Sequence, residues 1–259
     1  MIIDCKKLVG NTINTLKRKR IPKKKLVAVL VGYNKASISF LKQKQKIARE
    51  LGIEFEILKF KSSIAFQKLK QEILRLNQDI KVGGIIIQLP LPKKFDLKRT
   101  VNLLSYQKDV DALSSGARVL EPAVCVVQKI FRAVKFNPRG KRAVVVGRGF
   151  LVGQPVGKWL KPKVKELTVT DKGILDKESL KQADVIVSGV GKTKLIKPEF
   201  IKKGVLIIDF GFSKIKGKMS GDVDFERCKD KARFITSTPG GTGPMLVAEL
   251  FENFYKLNK

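Results

Sequence analysis

Histidine is absent from the chain, and that absence excludes more chemistry than any other feature of the composition. Without imidazole there is no Ser-His-Asp triad, no HExxH zinc site and no histidine base. Proton transfer falls to Lys, Asp, Glu, Tyr or Cys, or to a cofactor. Cysteine is sparse. Cys5, Cys125 and Cys228 lie far apart and form no metal-ligand pair, which fits a reducing cytosol and thiols without a special role. No apolar run is long enough to cross a bilayer, and "MIIDCKKLVGNT" lacks the charged-then-apolar order of a signal peptide. A cytoplasmic protein with no membrane partner and no metal is expected.

Acidic residues are also scarce, 23 against 54 Lys and Arg, which leaves a formal charge of +31. Such a balance suits an anionic partner such as nucleic acid, or a composition biased toward lysine. The lysines are scattered rather than gathered on one element, which favours the second reading. The exception is "KRKRIPKKK", residues 17–25, read as a solvated helix end and loop before a strand. It carries no interleaved aromatics for base stacking, so nucleic acid is not the expected partner.

What is present is a chain of 259 residues, 43% hydrophobic, enough for one large or two ordinary domains. "LVAVLVG" (26–32), "IEFEILKF" (53–60) and "GGIIIQLP" (83–90) read as strands, with helical patterns near 36–51 and 64–77. The second half continues with "AVVVG", "ELTVT", "DVIVSGVG", "GVLIIDFG" and "RFITS". Continuous Val/Ile/Leu runs indicate strands buried on both faces. Their alternation with helices indicates an α/β fold with parallel sheets. A boundary is expected in 115–122, and a last helix over about 244–256 begins after Gly243-Pro244.

The strand ending at Val146 runs into Gly147-Arg148-Gly149, and the next glycine is Gly153. This G-x-G-x-x-x-G is one residue longer than the usual dinucleotide fingerprint. Glycines let a backbone approach pyrophosphate, and the helix that follows favours negative charge at its start; the plain alternative is a tight strand-to-helix turn. Asp171 ends the next strand and suits a ribose 2′-hydroxyl, as in NAD; Arg148 suits a 2′-phosphate, as in NADP.

In "ASISFLKQKQKIARELG", Phe40, Lys44, Ile47 and Leu51 share one helix face, which sets Lys44 in an apolar stripe. A desolvated lysine has a lowered pKa and moves protons near neutrality; a snorkelling lysine is the plain alternative. Gln88 ends a buried strand, where α/β proteins place ligands. Asp109 and Asp111 in "KDVDAL" suit either a turn cap or the N–H groups of a ligand.

The blocks "ASISFLKQKQKIARELGI", "GGIIIQLPLPKKFD", "KDVDAL", "GRGFLVGQPVG", "ADVIVSGVGK", "GVLIIDFG", "GDVDFE" and "TPGGTGPM", in this order, span most of the chain. Together they resemble the bifunctional methylenetetrahydrofolate dehydrogenase/cyclohydrolase family (FolD type). The resemblance implies a catalytic domain over 1–118, on which a final helix 244–259 packs back, and a Rossmann domain over 119–243, with folate in the cleft. It implies oxidation of 5,10-methylenetetrahydrofolate with NADP, or alternatively NAD, and hydrolysis of the methenyl product to 10-formyltetrahydrofolate. That places the chain in the one-carbon metabolism that serves purine, methionine and histidine synthesis. A homodimer and a polyglutamylated substrate are further implications. A shikimate-dehydrogenase-like oxidoreductase shares the architecture but leaves "QLPLP" and "PGGTGPM" unexplained.

Residue by residue, the resemblance assigns catalysis to Lys44, Gln88 and Asp111, with Lys44 moving the proton, Gln88 steadying it and Asp111 also holding the pterin. It assigns substrate contacts to Phe40, Pro239, Gly240 and Gly241 as well. Cofactor contacts fall to Gly147, Arg148, Gly149, Val152, Gly153, Asp171, Gly189, Val190, Gly191, Asp209, Gly211 and Phe212. The chain departs from the family pattern at several points. Phe40 stands where tyrosine is usual, Gly149 where serine is, and Leu246 where threonine is. Pro122-Ala123-Val124-Cys125 replaces Pro-Cys-Thr-Pro. The lost hydroxyl at Phe40 bears on hydrolysis more than on hydride transfer, so a dehydrogenase without hydrolase activity is the alternative reading. A basic non-enzyme on the same fold is the third.

Overall fold

A computed structural model describes residues 1–171, 175–215 and 218–259. The chain opens with α1 (Cys5–Lys17), β1 (Lys25–Val31), α2 (Lys35–Glu50), β2 (Phe55–Phe60), α3 (Phe66–Gln78), β3 (Val82–Ile87) and α4 (Leu97–Val101). It continues through α5 (Pro122–Ala133), β4 (Arg142–Val146), α6 (Gly153–Leu160), β5 (Glu166–Thr170), α7 (Lys177–Gln182), β6 (Val185–Ser188) and β7 (Leu206–Asp209). A small hairpin, β8 (Ser213–Ile215) and β9 (Lys218–Ser220), precedes α8 (Phe225–Cys228), β10 (Phe234–Ile235) and α9 (Thr242–Leu257). Contacts divide the chain into two compact units, one of Gly10–Pro122 with Val247–Lys259, the other of Met1–Val9 with Ala123–Leu246.

The first unit is built on a parallel sheet of order β2-β1-β3. β3 is buried along its whole length and β1 at every position but Lys25, as continuous apolar runs require. β2 is only half-buried; it is an edge strand, and Lys59 is exposed. The outer edge of β3 is closed by the segment before Asp111, where Ile85 bridges to Asp109 and its N–H donates to Lys108 O at 2.7 Å. Val27, Val29, Ile85 and Ile87 pack against Leu69, Ile73 and Leu76 of α3. Gly84 is required by the end of α9, since a Cβ there would lie 2.7–2.9 Å from Val110, Leu26 and Phe254.

α2 has clear ends. Asn34 accepts the Ser37 N–H at 3.0 Å as its N-cap. Gly52, at φ +68°, ends it in the left-handed conformation, and Ile53 N–H returns to Ala48 O at 2.9 Å. The polar residues that this helix buries are Ser37 and Lys44.

The second unit carries a parallel sheet of order β10-β7-β6-β4-β5. The chain goes from β4 to β5 on one side and then crosses back to β6 on the other, so the strand order reverses at β4. In open parallel sheets such a point leaves a crevice at the C-terminal strand ends. Residues 1–9 belong here, not with the residues that follow them in sequence. Ile3 N–H donates to Ile235 O at 2.8 Å, and Ile3 and Cys5 enter this unit's core. Of α9, residues up to Leu246 group with this unit and those from Val247 with the first. Among the described residues no helix is long and apolar enough to cross a membrane.

Candidate active site

Lys44 sits in the middle of α2 and is 8% exposed. The buried face of the helix is Ser37, Leu41, Lys44 and Ala48, continuing to Leu51. The apolar stripe expected through Phe40 and Ile47 is therefore rotated by about one residue, and those two are half-buried. Lys44 is inside either way. Its Nζ donates to Gln88 Oε1 at 3.2 Å and lies 4.0 Å from Asp111 Oδ2. Burial holds the ammonium below the ordinary lysine range, and the Asp111 carboxylate pulls against that. Burial raises the Asp111 carboxyl above its usual range, Lys44 opposes the rise, and Asp109 adds to it. At 4.0 Å the ion pair is too loose to repay the desolvation of either partner.

Gln88 is held from its other end, where Nε2 donates to Leu89 O at 2.9 Å. The same carbonyl accepts from Ser37 Oγ at 3.0 Å, which ties the start of α2 to the end of β3. The Leu89-Pro90 bond is cis. With Nε2 engaged, the oxygen of the amide is the atom left to face Lys44.

The two aspartates of "KDVDAL" separate cleanly. Asp109 is fully buried, and its Oδ2 accepts both the N–H and the Oγ of Ser114 at 2.7 Å. It folds the loop back on itself; Ala112 completes the turn at φ +53°. Asp111, two residues on, is thereby aimed at Lys44. Phe40 lies one helical turn before Lys44, half-buried.

In the second unit, Gly147 (φ +109°) ends β4. A Cβ there would come within 3.0 Å of Gly189 O, so the turns after β4 and β6 meet closely. At Gly153, opening α6, a Cβ would overlap Gly147 O; at Gly189 it would press on Val152 at 2.9 Å. Gly149 differs, because its nearest neighbour is 3.8 Å away and its backbone is accessible. Arg148 is exposed, with Nη2 donating to Val169 O at 2.8 Å. Asp171 is exposed just after β5. Gly191 has φ +74°, and Phe212 is 41% exposed.

Asp209 is placed differently from the other expected cofactor residues. It is 2% exposed, and its carboxylate accepts from Gly211 N at 2.7 Å, Val223 N at 3.0 Å and Asp222 N at 3.3 Å. It is turned inward, toward backbone. Burial, and then the charge of Asp222, push it up to about 7. Thr242 Oγ1 donates to Asp209 O at 2.8 Å, tying the start of α9 to β7. Just before it, Thr238-Pro239 is cis, and a Cβ on Gly241 would overlap Ser237 O. Gly240, at φ +85°, has nothing within 4 Å of its Cβ position. Asp222, which the sequence offers only as part of "GDVDFE", is fully buried; its oxygens accept from Ser188 Oγ and Val190 N at 2.7 Å and from Lys192 N at 2.8 Å. Its only sequence signal is a carboxylate directly after a glycine, in a segment rich in other charged residues.

Residues 3–111 match the tetrahydrofolate dehydrogenase/cyclohydrolase catalytic domain, and residues 122–259 match the NAD(P)-binding domain of the same proteins. The chain belongs to this family. The bifunctional FolD protein of Clostridium tetani is 37% identical over 242 residues, covering 90% of this chain and 87% of that one. A crystal structure of bifunctional FolD from Campylobacter jejuni superimposes with a TM-score of 0.94 at 31% identity, covering 100% of this chain and 98% of that one. The Trypanosoma brucei enzyme, solved with NADP and an inhibitor, gives 0.92 at 26%, covering 99% and 96%.

Within this tetrahydrofolate dehydrogenase/cyclohydrolase, the second unit's turns fit a dinucleotide. Gly149 and Gly240 present open backbone, while Gly147, Gly153 and Gly189 are consumed in bringing the turns together. The sequence-assigned residues thus form two sets. Lys44, Gln88 and Asp111 gather in the first unit, and the glycine turns with Arg148 and Asp171 gather in the second. The family departures have plain local settings. Ala123, Val124 and Cys125 are buried in the first turns of α5, and Leu246 packs against the second unit's core. The thiols of Cys5 and Cys228 are raised by burial to about 11, which keeps them protonated and unreactive.

Proposed function

We propose that this chain oxidises 5,10-methylenetetrahydrofolate to the methenyl compound with NADP and hydrolyses that product to 10-formyltetrahydrofolate. The observation that carries the reading is the buried Lys44 ammonium on the Gln88 amide, with Asp111 opposite. NADP, when bound, supplies the hydride acceptor. Arg148, Gly149 and the turns after β6 and β7 would hold it, with Gly147 letting those turns approach one another, and orientation accounts for most of that step. Asp111 accepts hydrogen bonds from the amino and ring N–H groups of the pterin. Hydrolysis makes different demands. Water adds to the amidinium carbon and, as the bond from that carbon to the ring nitrogen breaks, gives up both of its protons, one to the ring nitrogen and one to solvent. Lys44, whose ammonium burial holds below the ordinary lysine range, carries the first of these protons, and Gln88 fixes where its Nζ points. A histidine-free protein thereby performs both steps.

NADP stands ahead of NAD because the exposed Arg148 guanidinium retains donors for a 2′-phosphate; Asp171 argues the other way. A dehydrogenase without hydrolysis remains the second reading, supported by the missing hydroxyl at Phe40. The finer expectations, a cytoplasmic homodimer acting on polyglutamylated folate in purine, methionine and histidine synthesis, rest on the family resemblance. One assay tests the main reading: purified protein with methylenetetrahydrofolate and either nucleotide should raise absorbance from reduced cofactor and release 10-formyl product. Absence of turnover with both nucleotides contradicts it.

A further inference from the structure

We infer that Asp222 is a positioning residue that sets the backbone of the Gly189–Lys192 turn in the shape that receives the dinucleotide, so that it governs nucleotide affinity without touching the nucleotide. The inference rests on the function proposed above.

Both Asp222 oxygens are spent on one short segment. Oδ2 takes the Ser188 hydroxyl and the Val190 N–H at 2.7 Å, and Oδ1 takes the Lys192 N–H at 2.8 Å. The bonds span at least 30 residues of sequence, so local turn geometry does not supply them. The turn after β6 has no ladder partner for these amides. Without the carboxylate, two backbone donors lose their acceptor inside the unit.

The fold makes room for this carboxylate at some cost. Gly211 is obligatory because a Cβ there would overlap the Asp222 carboxyl, and Gly221 because a Cβ would overlap Asp209 Oδ2. Two carboxyl groups are thereby buried side by side, an arrangement that burial and like charge both oppose. A neutral hydrogen-bonding residue would avoid that repulsion, but no neutral side chain accepts from three donors through two oxygens.

The consequence for a ligand follows from peptide planarity. With the Val190 N–H drawn toward Asp222, the Gly189 carbonyl in the same trans peptide points the opposite way. It points at the turn after β4, where Gly189 O lies 3.0 Å from a Cβ built on Gly147 and 3.8 Å from one built on Gly149. Gly149 is the member of that turn with open backbone. Asp222 thus aims an acceptor along the open glycine surface, where a ribose hydroxyl or carboxamide N–H of the dinucleotide would meet it. Gly191 O is fixed too, by Ser213 Oγ at 2.8 Å.

The test is steady-state kinetics on Asp222→Asn, which keeps the shape but puts an NH2 group against at least one N–H donor. The expected result is a KM for the nucleotide raised at least about tenfold. The KM for methylenetetrahydrofolate should stay within about threefold and the melting temperature within a few degrees, since the folate-side residues belong to the other unit. Ser188→Ala removes only the hydroxyl donor and should leave nucleotide KM within about threefold. Parental nucleotide KM in Asp222→Asn overturns the inference. So does a proportional loss for both substrates with a lowered melting temperature, which marks a purely structural residue, and so does a Ser188→Ala effect as large as that of Asp222→Asn. If the parent turns over neither nucleotide, the functional reading itself fails; if the parent is active and Asp222→Asn is indistinguishable from it, only this inference fails.

Discussion

At the scale of single residues, Asp209 shows how far environment moves the titration of a buried acid. Asp209 is pushed up to about 7, first by burial and then by Asp222. In the unfolded chain the same group titrates near 3.8. Between those values the native protein holds a proton that the unfolded chain has lost. The stability contributed by this group is therefore complete at low pH, falls by about 1.4 kcal/mol per pH unit across the window, and levels off above it. Urea denaturation of the parent and Asp209→Asn from pH 4.5 to 8 should show the stability of the parent relative to the variant falling toward neutrality and then staying constant. A difference that does not change with pH would contradict the assignment.

Phe40 gives a second prediction at this scale. It stands one turn from Lys44 and lacks the hydroxyl usual in the family. Phe40→Tyr should raise the hydrolysis rate severalfold and change NADP-dependent oxidation little, measured as formyl release against cofactor reduction in one sample. Equal changes in both would remove Phe40 from any specific part in hydrolysis.

At the scale of elements, α2 is the piece that delivers Lys44, and its ends are set by Asn34 and Gly52. Asn34→Ala removes the side chain that accepts the Ser37 N–H and should cost about 1 kcal/mol in thermal or urea unfolding. A change near zero would mean that the Ser37–Leu89 bond alone holds this end. This element also shows how much was legible in sequence. Its limits and the burial of Lys44 follow from periodicity, but the face is rotated, because Ser37 and Ala48 are small enough to turn inward and Phe40 is not forced to. β1 and β3 are legible as unbroken apolar runs. β2 is visible as a strand, but its edge position is set by sheet order, which no local pattern encodes. The three-residue strands β8 and β9 are too short for any period to show. The end of α1 is marked by the basic run after it, while its body and the return of residues 1–9 to β10 depend on contacts more than two hundred residues apart. Gln88 and Lys44 stand out by position, whereas the different tasks of Asp109 and Asp111 appear only when Ser114 closes the loop.

At the scale of the whole molecule, the charge of +31 is the feature that no single element explains. Many carboxylates are already used in surface pairs such as Lys17–Glu50 and Arg142–Glu166, which leaves a broad excess of lysine. Such a field speeds the encounter with any polyanion, and a phosphorylated dinucleotide is one. kcat/KM for the nucleotide should therefore fall severalfold between about 0.02 and 0.3 M salt while kcat holds, because screening acts on approach and not on the bound geometry. Salt-independent kcat/KM would show that the excess charge is only compositional.

The account as a whole depends on Lys44 as the proton carrier of hydrolysis. The most direct measurement is methenyltetrahydrofolate hydrolysis by the parent and Lys44→Met across pH, with NADP-dependent oxidation followed in parallel. The account predicts a loss of roughly 10²–10⁴ in hydrolysis, with oxidation far less affected. It also predicts a limb in the parental pH profile, titrating below the ordinary lysine range, that is missing from the variant. Hydrolysis by Lys44→Met at the parental rate would contradict it.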